Sequence, residues 1–231
     1  MGLSTSAQKA IALRIRRPYQ QFGQNADLTT AGGATGCTHT CLQFLAELWG
    51  KGFYTHDQIS RIAGYPSQAS VAPSSRRGMR PSEVQAFCDR IGLPYKVRLG
   101  LTPTQVLAAA QLAPVGFGHV YGWVPEWKGY RYAGITADGR PNGFAAPSSK
   151  AGKTQLTGFE RGAHFAVVLG AGQGATSYQV YAMEPNHGSA SRPEKPPYDI
   201  YTLAQFNALY TSYQRVLGRT PYALVATRPL P

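Results

Sequence analysis

The fold is decided by residues 164–183, which have the sequence HFAVVLGAGQGATSYQVYAM. Two runs in this stretch, 164–169 and 178–183, are rich in the apolar and aromatic residues that favour strands. Glycines crowd the connection between them at 170–174. Strand-like runs on either side of a short glycine-containing connection are typical of a β-hairpin. The sequence therefore predicts two antiparallel strands here, joined by a turn at 170–174.

Outside this hairpin, the spacing of apolar residues and the positions of proline and glycine predict the other elements. The predicted helices cover about residues 7–17, 37–48, 55–63, 81–91, 103–111 and 203–213. The predicted strands cover 95–99, 114–121 and 222–226, and a proline-rich loop is expected at 184–201. Helices dominate the first half and strands the second, which predicts an α+β fold.

The domain organisation follows from where this pattern is interrupted. Residues 1–18 carry a cluster of arginines and are predicted to form a basic N-terminal arm that contains the first helix. Residues 19–231 are long enough for a single domain with a sizeable core. Periodicity is lost at about 122–162, where tryptophans and tyrosines lie among glycine, proline and lysine, so a long insertion is expected there.

Composition limits the classes of partner and site. The net charge is +12, but the basic residues are scattered rather than aligned, so nucleic acid is not expected as a partner. An anionic surface such as a cell wall is compatible with this charge. No apolar run reaches the roughly 18 residues that a membrane span needs, and no secretory signal is seen. Three cysteines make a disulfide framework unexpected.

Cys37 is the first candidate for a reactive residue. It lies where a glycine-rich loop enters an apolar helix, and the free N–H groups and dipole of a helix start stabilise a thiolate. A buried structural cysteine is the alternative. His164 favours the reactive interpretation, because a histidine at the start of a strand can meet a helix end and serve as the base of a cysteine–histidine pair.

A third group should orient the imidazole of His164 through its other ring nitrogen. The second strand of the hairpin ends next to the start of the first, so either Glu184 or Asn186 can take this role, unless this segment is only a polar turn. No cofactor or metal is expected, because the Cys37–Cys41 segment lacks a second ligand pair. His39 is expected on the helix surface or at the rim of the site, and His119 in the core.

Three motifs resemble those of the peptidase C39-like proteins, a papain-like group of cysteine peptidases. They are GCTHTCL at 36–42, GAHFAVVLG at 162–170 and YAMEPN at 181–186. The resemblance implies a papain-like fold, with N-terminal helices packed on a C-terminal antiparallel sheet, and cysteine peptidase or amidase activity. It gives the nucleophile's place to Cys37 and the acid's place to Glu184, with Asn186 as the rival.

Residues 78–85 and 184–199 are also similar to C39-like proteins encoded by actinobacterial phages. That similarity implies a virion-associated protein, present in the bacterial cytoplasm before assembly, which cleaves peptidoglycan peptides. Other virion proteins would then be its partners.

Two departures from the family pattern bear on activity. Thr38 and His39 replace the Gly-Pro that follows the nucleophile, and Ala31 stands where the family usually has an oxyanion-hole glutamine. Gln24, farther upstream, is the candidate to supply that donor. The alternative function is therefore a structural virion or scaffold protein that retains the papain-like fold without catalysis.

Overall fold

A computed structural model describes residues 2–16, 19, 36–66, 78–120, 123–124, 129–130, 163–174, 177–183, 185 and 198–231. The helices in these ranges are α1 (Thr5–Arg16), α2 (Cys37–Leu48), α3 (His56–Ala63), α4 (Pro81–Arg90), α5 (Pro103–Ala109) and α6 (Leu203–Leu217). The strands are β1 (Tyr95–Leu99), β2 (Val115–Val120), β3 (Trp123–Val124), β4 (Gly129–Tyr130), β5 (Ala163–Gln173), β6 (Tyr178–Met183), β7 (Asp199–Thr202) and β8 (Tyr222–Ala226).

Six of these strands form one sheet in the order β1-β8-β2-β5-β6-β7, and every neighbouring pair in it is antiparallel. The predicted α+β class is confirmed. The predicted hairpin is confirmed too, because β5 and β6 pair along their length. β3 and β4 form a separate two-stranded sheet inside the predicted insertion.

The turn of the hairpin lies later than predicted. β5 continues through 170–173, and the chain reverses beyond Gly174, whose N–H donates to the carbonyl of Ser177 at 2.7 Å. Gly170 belongs to the strand, where it pairs with Tyr181 of β6, and α1 packs directly on it. A Cβ built on Gly170 would lie 2.2 Å from the Cβ of Ala7. This glycine therefore serves a close approach of two elements rather than a turn.

Helix α1 lies in the segment predicted to be a basic arm, and it packs against β5. Ala7 and Ala10 are fully buried. The division of the chain into an arm at 1–18 and a domain at 19–231 stays a prediction.

Both faces of the sheet are covered, as β5 shows. Phe165, Val167 and Leu169 join an apolar cluster with residues of α2, α3 and α4. Ala166 and Val168 join a second cluster with residues of α5 and α6. A strand that is buried on both faces has a continuous apolar sequence rather than an alternating one. The run at 165–169 is apolar throughout for this reason.

Three of the helices begin with the same local signal, a threonine followed three residues later by a glutamine. In each case the threonine hydroxyl accepts from the glutamine N–H, and the glutamine side chain accepts from the threonine N–H. This reciprocal capping box satisfies N–H groups at the helix start and fixes where each helix begins. The pairs are Thr55–Gln58, Thr102–Gln105 and Thr202–Gln205.

Strand β7 was not predicted, because 184–201 was expected to be a loop. The strand has four residues and pairs with β6 at the edge of the sheet, where only Tyr201 among its residues is buried. So short an edge strand carries too few apolar residues to show a period. None of the helices in the described residues has the length and apolar character needed to cross a membrane.

Candidate active site

Cys37 is the first residue of α2, and Gly36 occupies the N-cap position. Gly36 closes the first helical turn by accepting both the N–H of Thr40, at 3.0 Å, and its hydroxyl, at 3.1 Å. Cys37 is buried, and its Sγ lies 3.9 Å from the hydroxyl oxygen of Thr38. The thiol therefore lies at the positive end of the helix dipole, where an anion is favoured.

His164 is the second residue of β5, the strand on which α2 packs. Phe165, the next residue, connects the two elements through its backbone. The Sγ of Cys41 donates to the Phe165 carbonyl at 3.4 Å, and the Phe165 N–H hydrogen-bonds Cys37. Cys37 and Cys41 are one helical turn apart, so both thiols reach the same stretch of strand.

The structure brings Cys37 and His164 into hydrogen-bond contact, and this contact affects the pKa of the thiol. Burial alone raises the pKa of Cys37. The charge of His164 and its hydrogen bond to the sulfur lower the pKa, with help from the Phe165 N–H and the Thr38 hydroxyl. The lowering effects outweigh burial, so the pKa of Cys37 lies below its ordinary value. The contact with His164 and the start of α2 therefore both favour the thiolate of Cys37.

Two tyrosines, Tyr213 of α6 and Tyr222 of β8, also lie near this pair. Their rings meet edge to face with centroids 6.0 Å apart, and Tyr222 stacks on Phe165 at 5.4 Å. Burial raises the pKa of both phenols, and the charge of Cys37 raises each further, while Arg219 hydrogen-bonds Tyr213 and opposes the rise. Gly118 admits the two rings, because a Cβ there would lie 3.1 Å from one and 3.2 Å from the other.

The sequence did not identify Tyr213, Tyr222 or Arg219 as members of this site. They come from the last helix, the last strand and the segment between the two, far along the chain from Cys37, and no local pattern distinguishes them from the other tyrosines and arginines. The sheet order, which places β8 next to β2 and β2 next to β5, brings Tyr222 close, and the packing of α6 on β2 brings Tyr213 close.

The histidines that follow Cys37 form a buried polar group of their own. His39 is buried, so its predicted place on the helix surface is wrong: α3 covers it, and its Nε2 lies 2.9 Å from the Ser60 hydroxyl. His56 lies against it, with ring centroids 5.2 Å apart, and its Nε2 is 3.1 Å from the Thr40 hydroxyl. Burial lowers the pKa of His56 to about 4, which keeps this imidazole neutral near pH 7.

His119 was expected to be a core histidine, and it is buried. It also lies directly beside His164, on the neighbouring strand β2. Gln24, Glu184 and Asn186, the other predicted site residues, lie outside the described residues. Their roles stay predictions. Among the residues that the structure describes, no group of three or more histidine, cysteine or carboxylate side chains is placed to hold a metal ion.

No family model matches this chain, and no curated protein matches it. Among solved structures, the chain is similar to a Bacillus anthracis protein that has been provisionally described as a C39-like peptidase. The two are 13% identical, the match covers 90% of this chain and 94% of that chain, and the TM-score is 0.49. The contact between Cys37 and His164 is a property of this chain and stands independently of that likeness.

Proposed function

We propose that this protein is a cysteine hydrolase that cleaves peptide or other amide bonds, with Cys37 as the nucleophile and His164 as its acid and base. One observation carries the proposal: the pKa of Cys37 is lowered, although the residue is buried, because its thiol contacts His164. Burial without such a partner raises the pKa of a thiol and leaves it inert.

The chemistry uses the pair twice. The thiolate of Cys37 attacks the carbonyl carbon, a C–S bond forms, and the carbonyl electron pair moves to the oxygen. The imidazolium of His164 gives its proton to the amine nitrogen as the C–N bond breaks, which leaves a thioester on Cys37. Water then attacks the thioester and gives a proton to the neutral His164. The C–S bond breaks, the carboxylic acid product is released, and the thiolate–imidazolium pair is restored.

Negative charge develops on the carbonyl oxygen during both steps and needs hydrogen-bond donors. The backbone N–H of Cys37 supports the proposal, because the first N–H groups of a helix have no partner within the helix. Gln24 is proposed as the second donor. Loss of one such donor lowers the rate by about 10²–10³-fold, so Gln24→Ala should have an effect of that size.

The residue that orients His164 is proposed to be Glu184, with Asn186 as the rival. The register of the hairpin supports this prediction. β6 ends at Met183, which pairs with Val167, three residues after His164 on β5. Alanine variants of the two residues distinguish them. Only the variant that lacks the residue orienting His164 should have a raised pKa at Cys37.

A cell-wall peptide as the substrate and a virion as the location are narrower proposals. The net charge of +12 supports the first, since it favours anionic polymers. The motifs at 78–85 and 184–199 support the second. A screen of peptidoglycan stem peptides against neutral peptides of equal length, with Cys37→Ala as the blank, tests the substrate class. Equal rates with both sets would contradict the cell-wall proposal and leave the hydrolase proposal intact.

The first experiment on the proposed function is the pH dependence of alkylation at Cys37, followed by peptide mass spectrometry. We expect Cys37 in the wild-type protein to react well below pH 7, and His164→Ala to move its midpoint up towards that of an ordinary thiol. An ordinary midpoint in both proteins would overturn the hydrolase proposal. It would favour the alternative of a catalytically inactive scaffold protein, in which Cys37→Ala leaves assembly unchanged.

A further inference from the structure

His119 and His164 lie side by side on β2 and β5, the two central strands of the sheet. They are direct partners in the antiparallel register of β2 and β5. Their ring centroids are 5.0 Å apart, and the ring planes are nearly perpendicular, at 87°. Both residues are buried, with 5% of each exposed. Side chains of directly paired residues lie on the same face of a sheet, so this contact is built into the strand register.

His119 is itself held by a row of aromatic rings. Its centroid lies 5.5 Å from that of Phe117, two residues earlier on β2. Phe117 packs in turn on Phe206 of α6 at 5.5 Å and on Tyr210 at 6.2 Å. Buried, closely packed rings have few alternative rotamers, so the position of His119 is fixed by its neighbours. The row runs from α6 through β2 to the edge of the Cys37–His164 pair.

A catalytic base must keep its ring turned towards the nucleophile. The His164 imidazole is joined to the strand by two rotatable bonds, so the groups that pack against the ring help to fix its plane. In the described residues, the pairing of β5 with β6 ends at Val167, so β2 is the strand that flanks His164. The perpendicular ring of His119 is therefore placed to restrict the rotation of the His164 ring.

We propose that His119 is a positioning residue, whose aromatic ring holds the imidazole of His164 towards the Cys37 thiol. This inference rests on the proposed function, in which His164 is the base. It assigns the role to the ring of His119, so another flat ring of similar size should serve, whereas a side chain without a ring should not.

The test compares the pH midpoint of Cys37 alkylation in four variants. His119→Phe keeps a ring, while His119→Val and His119→Gln remove it. Phe206→Leu is the matched control, because it removes one ring of the same row but leaves Phe117, the ring that contacts His119, in place. We expect the ringless variants to raise the midpoint by about one pH unit, which is about tenfold in thiolate fraction. His119→Phe and Phe206→Leu should keep the wild-type midpoint, although Phe206→Leu should melt at a lower temperature.

Wild-type midpoints in the ringless variants would overturn the inference, as would a midpoint in His119→Phe that rises as far as theirs. His164→Ala, measured alongside, separates this failure from failure of the proposed function. If His164→Ala raises the midpoint and the ringless variants do not, only the role of His119 is lost. If His164→Ala has no effect, the hydrolase proposal fails as well.

A ringless variant that does not melt cooperatively is not folded and is left out of the comparison. A second measurement, on the wild-type protein, then tests the inference. Nuclear Overhauser contacts between the ring protons of His119 and His164 should be present. Their absence would overturn the inference.

Discussion

Cys37 and Cys88 are both buried at one end of a helix, yet their surroundings shift the pKa values of their thiols in opposite directions. Cys37 begins α2 and contacts a histidine, and its pKa is lowered. Cys88 lies in the last turn of α4, and burial followed by the nearby charge of Asp89 raises its pKa to about 12. Burial is common to the two sites, so the difference comes from the charged partner and the end of the helix.

This comparison separates burial from reactivity. Cys37 and Cys88 even belong to the same apolar cluster, and neither forms a disulfide. A thiol in such a core is unreactive unless a specific group stabilises its anion. Cys88 therefore serves as an internal reference for every measurement made on Cys37.

The largest difference between the two sites is expected in hydrolysis. Cys37→Ser should lower kcat/KM on a peptide substrate by about four to six orders of magnitude, because it removes the attacking thiolate. Cys88→Ser should leave kcat/KM within about threefold, since the residue lies away from the pair. The rates are measured on purified, folded variants. A large loss of kcat/KM in folded Cys88→Ser would break the comparison.

A smaller but direct difference is expected in alkylation of the native wild-type protein. At pH 6, Cys37 should be modified at least about 100-fold faster than Cys88, because reaction needs the thiolate. Peptide mass spectrometry of one digest gives both rates. In denaturant the two rates should become similar. A ratio near one in the native protein would show that the His164 contact does not activate Cys37.

The two cysteines should also differ in how they change the stability of the protein with pH. The folded-state pKa of Cys88 lies above its unfolded value of 9.0, so its stabilising contribution is present below pH 9 and is lost as the pH rises towards 12. Cys88→Ala should remove this loss and make the decline in unfolding free energy shallower by about 1 kcal/mol per pH unit, once the pH exceeds 9. Urea unfolding at pH 9 and 10 measures the slopes.

Cys37 should show the opposite sign at lower pH, in urea unfolding measured at pH 9 and below. Its folded-state pKa lies below the unfolded value, so its contribution is present above pH 9 and is lost as the pH falls through the folded-state pKa. For Cys88, equal slopes of unfolding free energy against pH in wild type and Cys88→Ala, measured between pH 9 and 10, would contradict its raised pKa.

The smallest effect is expected at the ion pair beside Cys88. Lys96 Nζ lies 2.8 Å from a carboxylate oxygen of Asp89, and both side chains are about half exposed. Exposed ion pairs contribute at most about 1 kcal/mol. Lys96→Gln should therefore lower the unfolding free energy by about 0.5 kcal/mol or less and leave Cys37 alkylation unchanged. A change in Cys37 reactivity would show that the two thiol sites are coupled.

The parts of the fold that local sequence controls could be predicted. The predicted helix starts near residues 55, 103 and 203 coincide with the threonine–glutamine capping boxes, and the glycine-rich entry marks the start of α2 at Cys37. The continuous apolar run at 165–169 locates the central strand β5. In each case the deciding interaction lies within a few residues of the signal, so the sequence pattern contains it.

What could not be predicted depends on contacts between distant segments. Gly170 was read as part of a turn because its closeness to Ala7 of α1 is invisible in the sequence. The sequence predicts His39 on the helix surface or at the rim of the site, because nothing near it shows that α3 covers it. Tyr222 reaches Cys37 through the sheet order, and Tyr213 reaches it through the packing of α6 on β2. The roles of Gln24, Glu184 and Asn186 stay predictions.

The backbone of Phe165 gives this protein a built-in reporter of the charge on Cys37. Its amide proton hydrogen-bonds Cys37, and its carbonyl accepts a hydrogen bond from Cys41. A hydrogen bond to an anion is shorter and stronger than one to a neutral group. The chemical shift of this single proton should therefore follow the ionisation of Cys37 in solution, with no substrate, label or inhibitor added.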